Sequence, residues 1–264
     1  MVCLEKNGDA DRKRAKEQKI KKNPMQGVSN QQRETDIVLV LDSSGSMYDM
    51  VNQTISGVNS AIAMQRAAAS ASYSAVQFVS FLTFSSHDKI ITKMNRVPLA
   101  QWKDITSEDY CPQGLTSLYD AAKAAFSLDI PGENRVIYIF VTDGESNDDR
   151  VWSSSNLRAT VDGLQHSHLD ESGVPLRSIL YIGCQDGAMA TANSCGVSYG
   201  CSLQYDAQRT PEMWQAVGRT VASYSSGGSS FISPEDRLLC EDMLARSSAS
   251  TCAVSPVSSP RRSQ

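Results

Sequence analysis

Histidine is nearly absent from this 264-residue chain; His87, His166 and His168 are all it has. A serine or cysteine nucleophile needs a base within reach, and the sequence offers few. The seven cysteines, Cys3, Cys111, Cys184, Cys195, Cys201, Cys240 and Cys252, are odd in number and irregularly spaced. None forms a Cys-x-x-Cys pair, which argues against a zinc knuckle or thioredoxin-type site and for reduced thiols in the cytoplasm. No apolar run approaches the ~18 residues of a membrane span. Met1-Val2-Cys3-Leu4 gives way at once to charge, unlike a secretory leader. A glycine-rich phosphate loop is missing as well. The net charge is −4, so the basic excess expected of a chain whose main partner is nucleic acid is also lacking.

What remains divides into three regions. Residues 1–35 hold nine Lys and Arg against five Asp and Glu, about +4, which leaves about −8 for the remainder. Arg12-Lys13-Arg14 through Lys21-Lys22 is compatible with a nuclear signal or an anionic surface, but a solvated, mostly disordered arm is the simpler account. Residues 225–264 contain twelve Ser, with Pro234, Pro256 and Pro260. That composition predicts a Ser-rich disordered tail, with at most one short helix around Leu238-Leu239 and Met243-Leu244. Residues 36–224 are long enough to bury a core of their own.

In this middle region, apolar runs alternate with helical patterns. Ile37-Val38-Leu39-Val40-Leu41 is a continuous apolar run, the mark of a strand buried on both faces. Residues 76–84, Val136-Ile137-Tyr138-Ile139-Phe140-Val141 and Ser178-Ile179-Leu180-Tyr181-Ile182 repeat it. Lys89-Ile90-Ile91-Thr92 is more polar and follows a short turn, so it predicts an antiparallel edge strand; Cys201 to Tyr205 reads as the last edge. Between the strands, Ile55, Val58, Ile62 and Ala69, then Leu118, Ala122 and Ala125, then Leu157, Val161 and Leu164, mark helix faces. Asp186 is placed to cap a short helix ended by Gly196, and Thr210-Pro211-Glu212 to start one that turns Trp214, Val217 and Val221 inward. The expected fold class is therefore α/β: a three-layer, doubly wound domain with a mostly parallel central sheet and one antiparallel edge strand.

In such sheets ligands bind outside the carboxyl ends of the strands. There the sequence places Asp42-Ser43-Ser44-Gly45-Ser46, Val141-Thr142-Asp143-Gly144 and, at the head of a helix, Gly114-Leu115-Thr116-Ser117. These loops offer two carboxylates, Asp42 and Asp143, and three hydroxyls, Ser44, Ser46 and Thr116. An all-oxygen set suits a hard cation such as Mg²⁺, with Mn²⁺ or Ca²⁺ as alternatives. Gly45 lets the loop bend where a Cβ would obstruct it.

In order, spacing and strand context, these residues resemble the metal-ion-dependent adhesion site of von Willebrand factor type A domains. The resemblance covers about residues 36–224 and is nearest to the intracellular, stand-alone branch, to which Thr54 to Asn59, Tyr110 to Ala121 and Ile182-Gly183 are also similar. It implies a Rossmann-like fold in which Ser44, Ser46 and Thr116 approach the metal directly, and Asp42 and Asp143 directly or through water. It also implies an open coordination position for an Asp or Glu carboxylate of a partner protein. Gly114-Leu115-Thr116 departs from the Gly-Gly-Thr of many members. Glu145, Asp148 and Asp149 lie just beyond Asp143 and read first as solvated loop charges; the alternative is that extra negative charge there tightens a cation while repelling an acidic partner.

Catalysis is the weaker expectation. A Mg²⁺-dependent phosphohydrolase of the haloacid-dehalogenase type needs a second Asp where this chain has Ser44, and so lacks the proton donor for the leaving group. His166-Ser167-His168 reads as a polar helix end, Cys111 as a plain loop thiol, and Trp102 and Trp214 as packing residues. The expected function is a non-enzymatic, metal-dependent protein-binding module. A regulatory adaptor of an ATPase complex is the runner-up, with no indication of oligomeric state.

Overall fold

The computed structural model of the chain describes residues 33–71, 76–171, 173–184 and 186–241. Six strands form one sheet: β1 (Thr35–Asp42), β2 (Gln77–Phe84), β3 (Ile90–Pro98), β4 (Arg135–Thr142), β5 (Arg177–Gly183) and β6 (Ser202–Gln204), in the order β3-β2-β1-β4-β5-β6. All pairings are parallel except β2 with β3. Every residue of β1, β4 and β5 is buried, as continuous apolar runs require when helices cover both faces.

Among the described residues six α-helices flank the sheet: α1 (Val51–Ala71), α2 (Leu118–Phe126), α3 (Ser154–Ser167), α4 (Ala188–Ser194), α5 (Thr210–Ser225) and α6 (Pro234–Cys240). On one face α1 and α5 set Val58, Ile62, Trp214 and Val217 over Ile37, Leu39 and Ile139. On the other, Phe126 of α2 meets Tyr138 edge-on at 4.8 Å and Phe140 at 6.1 Å. The helix faces read from the sequence pack inward, with Leu118, Ala122, Ala125, Leu157 and Val161 all buried. Trp102 is a packing residue, 6.2 Å from Phe81.

Several expectations need correction. The disordered tail does not begin at residue 225. Ser225 is the buried end of α5, and residues 226–241 run back along the free edge of β6. Ile232 and Cys240 enter the core, Arg237 donates to the carbonyls of Tyr199 and Ser202 at 2.8 Å, and Ser233 caps α6. A Ser-rich average concealed these few anchors, and covering a sheet edge is a reason to order them. The rest of that tail, residues 242–264, and the basic arm up to residue 32 lie outside the described residues. β3 is longer than expected, because its outer positions stay solvent-facing while its ladder to β2 continues to Pro98. Asp186 does not cap α4; Gly187, with φ 93°, occupies the cap position. Thr210 is the first residue of α5 rather than its cap, and its hydroxyl donates to Ala207 O at 2.6 Å.

Candidate metal centre

From β1 the chain runs outward through β2 to β3, and from β4 the other way to β6. The order therefore reverses between β1 and β4, which leaves a crevice at their carboxyl ends. Asp42 ends β1, Thr142 ends β4, and Leu41 pairs with Val141 immediately before them. Register alone sets Asp42 and Asp143 on either side of the crevice.

The loop after Asp42 is held from several directions. Ser43 donates its N–H to Phe84 O at 2.7 Å and its hydroxyl to the same carbonyl at 2.9 Å. The Ser44 N–H donates to Asp42 Oδ1 at 2.7 Å. Gly45 N–H reaches Gly114 O at 3.1 Å, and Gln113 N–H reaches Ser43 O at 2.7 Å. Met47 and Met50 are buried and pin the turn that follows.

The hydroxyls then line up. Ser44 Oγ lies 3.1 Å from Ser46 Oγ, which donates to Asp143 Oδ1 at 2.8 Å. These are hydrogen-bond separations; oxygens on adjacent corners of a Mg²⁺ octahedron with 2.0–2.1 Å bonds stand about 2.9 Å apart, so the same oxygens could share a cation with little movement. Thr142 Oγ1 donates to Asp42 Oδ2 at 2.6 Å, and Tyr110 donates to Asp42 O at 2.5 Å.

Thr116 comes from the neighbouring loop. Its N–H donates to Asn147 Oδ1 at 2.9 Å, and its carbonyl accepts from the N–H groups of Asn147 at 2.8 Å and Asp148 at 3.1 Å. Ser117 N–H donates to Ser85 O at 2.8 Å, which ties the loop to the end of β2. Four of the five sequence candidates are thus linked through Asp42–Ser44–Ser46–Asp143. Thr116 is buried on the adjoining loop, and among the described residues no hydrogen bond joins its side chain to the other four. Leu115 in place of a second glycine costs nothing in backbone geometry. Of the two residues only Gly114 takes the left-handed conformation, with φ 83°, and Leu115 is half exposed.

Asp42 is fully buried and Asp143 nearly so. Among the described residues neither has an ion pair with Lys, Arg or His. Burial raises the Asp42 pKa to about 6, against the lowering by the Thr142 and Ser44 hydrogen bonds; the charge of Asp143 raises it further. Burial also raises the Asp143 pKa, while the Ser46 hydrogen bond lowers it. Two buried carboxylates without a cationic side chain, beside aligned hydroxyls, form a donor set that matches a hard divalent cation. Among the described residues no three His, Cys, Asp or Glu side chains converge, so a cation here would have to draw part of its shell from the hydroxyls.

The sequence does not single out Tyr110, Asn147 or the Thr142 hydroxyl for a role at the site. Thr142 is legible from strand pairing, since it stands beside Asp42 once β1 and β4 are adjacent. Tyr110 enters the sequence reading only as one end of the Tyr110 to Ala121 resemblance, and Asn147 carries no local signal. The histidines lie apart from the candidate ligands: His87 pairs with Asp148 at 3.2 Å, and His166 and His168 bond locally at the end of α3. Cys111 is exposed and donates to Ser107 O.

No family model matches the chain, and no curated protein matches it. Solved structures do. A mussel byssus protein, proximal thread matrix protein 1 with a zinc-occupied MIDAS motif, superposes with TM-score 0.51 at 13% identity, over 72% of this chain and 46% of that one. The pilus adhesin SpaC of Lactobacillus rhamnosus GG, in an open conformation, gives TM-score 0.54 at 17% identity, over 73% of this chain and 30% of that one. A von Willebrand factor type A structure from Catenulispora acidiphila matches at 13% identity with TM-score 0.49, over 72% of this chain and 43% of that one. The chain spans less than half the length of each. The first two likenesses establish the fold.

Proposed function

We propose that this domain, which has the von Willebrand factor type A fold, is a non-enzymatic, metal-dependent protein-binding module. Asp42, Ser44, Ser46, Thr116 and Asp143 would hold a divalent cation, Mg²⁺ in preference to Mn²⁺ or Ca²⁺, and the cation would take an Asp or Glu carboxylate of a partner. The observation that carries this reading is the oxygen row: Ser44 Oγ, Ser46 Oγ and Asp143 Oδ1 at 3.1 and 2.8 Å, beside a second buried carboxylate with no counter-cation. The zinc-occupied motif of the mussel protein supports a divalent ion at such a site.

Binding is favoured over hydrolysis because Ser44 stands where a phosphohydrolase would carry its second Asp. No histidine hydrogen-bonds a candidate ligand either. The described residues contain no helix long and apolar enough to cross a membrane. The five described cysteines are all unpaired, which supports placing the protein in the reducing cytoplasm.

Affinity capture from source cells tests the proposal, with wild type and Asp42→Ala each in Mg²⁺ and in chelator. A partner retained only by wild type in Mg²⁺ is expected, with both proteins folded by circular dichroism. Identical captured sets in all four conditions would refute metal-dependent docking.

A further inference from the structure

Next to the proposed metal site, an open cleft of ≈ 220 Å³ lies between the ends of β4 and β5 and the start of α4. Asp143 belongs to both features: it accepts the Ser46 hydrogen bond on one side and lines the cleft on the other. Glu145 and Asp186 are exposed and stand on the same lining, to which no Lys, Arg or His among the described residues contributes. Tyr181 also lines the cleft; it is only 3% exposed, and its hydroxyl enters none of the hydrogen bonds among the described residues. Burial pushes its pKa up, so it remains a neutral phenol with free acceptor capacity.

These features select a class of ligand. The Tyr181 side chain is buried, but its hydroxyl is not a sealed polar atom; it meets the cleft and is open to accept a hydrogen bond there. Three carboxylates with no base beside them among the described residues attract positive charge, most strongly in a cleft with low-dielectric walls. A second metal ion is a poor occupant, because among the described residues these carboxylates do not converge and no hydrogen-bonded row of hydroxyls joins them as it does at the neighbouring site. An ammonium or guanidinium needs no common focus. Its N–H groups donate to several separate acceptors, and its methylene stem tolerates the apolar wall at Gly183 and Ala188.

We propose that this cleft receives a Lys or Arg side chain of the docked partner, one or two residues from the carboxylate that reaches the cation. The inference rests on the metal-docking reading above. The short spacing follows from Asp143 being shared, since in an extended peptide residues i and i+2 point the same way about 6.7 Å apart. The partner motif is thus zwitterionic, and the acidic rim that would repel a bare acidic peptide becomes a selector for one that carries a base. Carboxylate and base bind as a unit, so like-charged competitors are rejected at the rim.

Two blocked pentapeptides test this on the full chain by NMR titration: Lys-Ser-Glu-Ser-Lys, and the same peptide with norleucine for both lysines. They are titrated in Mg²⁺ and in chelator, against wild type and the double variant Glu145→Gln/Asp186→Asn, which keeps all five candidate ligands. In Mg²⁺ the lysine peptide is expected to bind wild type about threefold to tenfold more tightly than the norleucine peptide. The ratio should fall close to one in the double variant. Equal affinities for wild type, still dependent on Mg²⁺, overturn the cleft inference and leave metal docking intact. Affinities unchanged by chelator, or no binding of either peptide, overturn the metal-docking reading itself.

Discussion

Replacing Asp42 with Asn makes the metal-free domain more stable at neutral pH. Burial raises the folded-state pKa of Asp42 from 3.8 to about 6. The folded protein therefore keeps the proton more tightly than the unfolded chain. The stabilisation this gives is full below about pH 4, declines as the pH rises through 6, and is absent above it. A difference of about two pKa units corresponds to about 3 kcal/mol. Asparagine removes the buried charge yet keeps an oxygen for the Ser44 N–H, and its amide can donate to Thr142, whose hydroxyl turns to accept. For a domain of this size each kcal/mol moves Tm by about 2–4 °C. In chelator at pH 7.5 the Asn variant should therefore melt about 6–12 °C above wild type, and the two should converge near pH 4. Scanning calorimetry over that pH range, in excess chelator, reads the difference directly. A lower Tm for the variant in chelator at pH 7.5 would show that Asp42 carries no desolvation cost, and the electrostatic argument for a cation would fail with it.

Two further perturbations probe the frame around the site. A Cβ on Gly57 would lie 1.8 Å from Trp214 Cδ1, and Trp214 is almost fully buried between α1 and α5. Gly57→Ala should cost about 1–3 kcal/mol in urea unfolding as the indole is displaced, and an unchanged midpoint would contradict that packing. Arg237→Ala frees the carbonyls of Tyr199 and Ser202 and removes the stacking of the guanidinium 4.1 Å above the Tyr199 ring. It should destabilise by about 2 kcal/mol, with faster amide exchange in β6 and residues 230–241; unchanged exchange would mean that the segment does not hold the sheet edge.

Much of the fold was legible because burial on both faces leaves an unambiguous trace. The apolar runs of β1, β4 and β5 cannot alternate, and between them the helices show their inward stripes. Legibility failed where few residues do the anchoring. The segment after α5 looked disordered because its serines outnumber Ile232, Arg237 and Cys240, yet those three hold it against β6. Cap positions failed for a related reason: Gly187 and Arg209 take them by backbone conformation, although Asp186 and Thr210 have the better side chains. At the candidate site the sequence indicated which oxygens could gather, since Asp42 and Asp143 end adjacent strands. It gave no role to Tyr110, which reaches Asp42 O from 68 residues away, or to Asn147, which fixes the Thr116 backbone.

The central claim is that these oxygens hold a divalent cation. Isothermal titration of Mg²⁺, and of Mn²⁺ in parallel, into the metal-free full chain and into Asp143→Ala tests it most directly. One saturable site per chain is expected in wild type, absent from Asp143→Ala although that variant remains folded. Equal heats for both proteins, or none in wild type, would contradict the account.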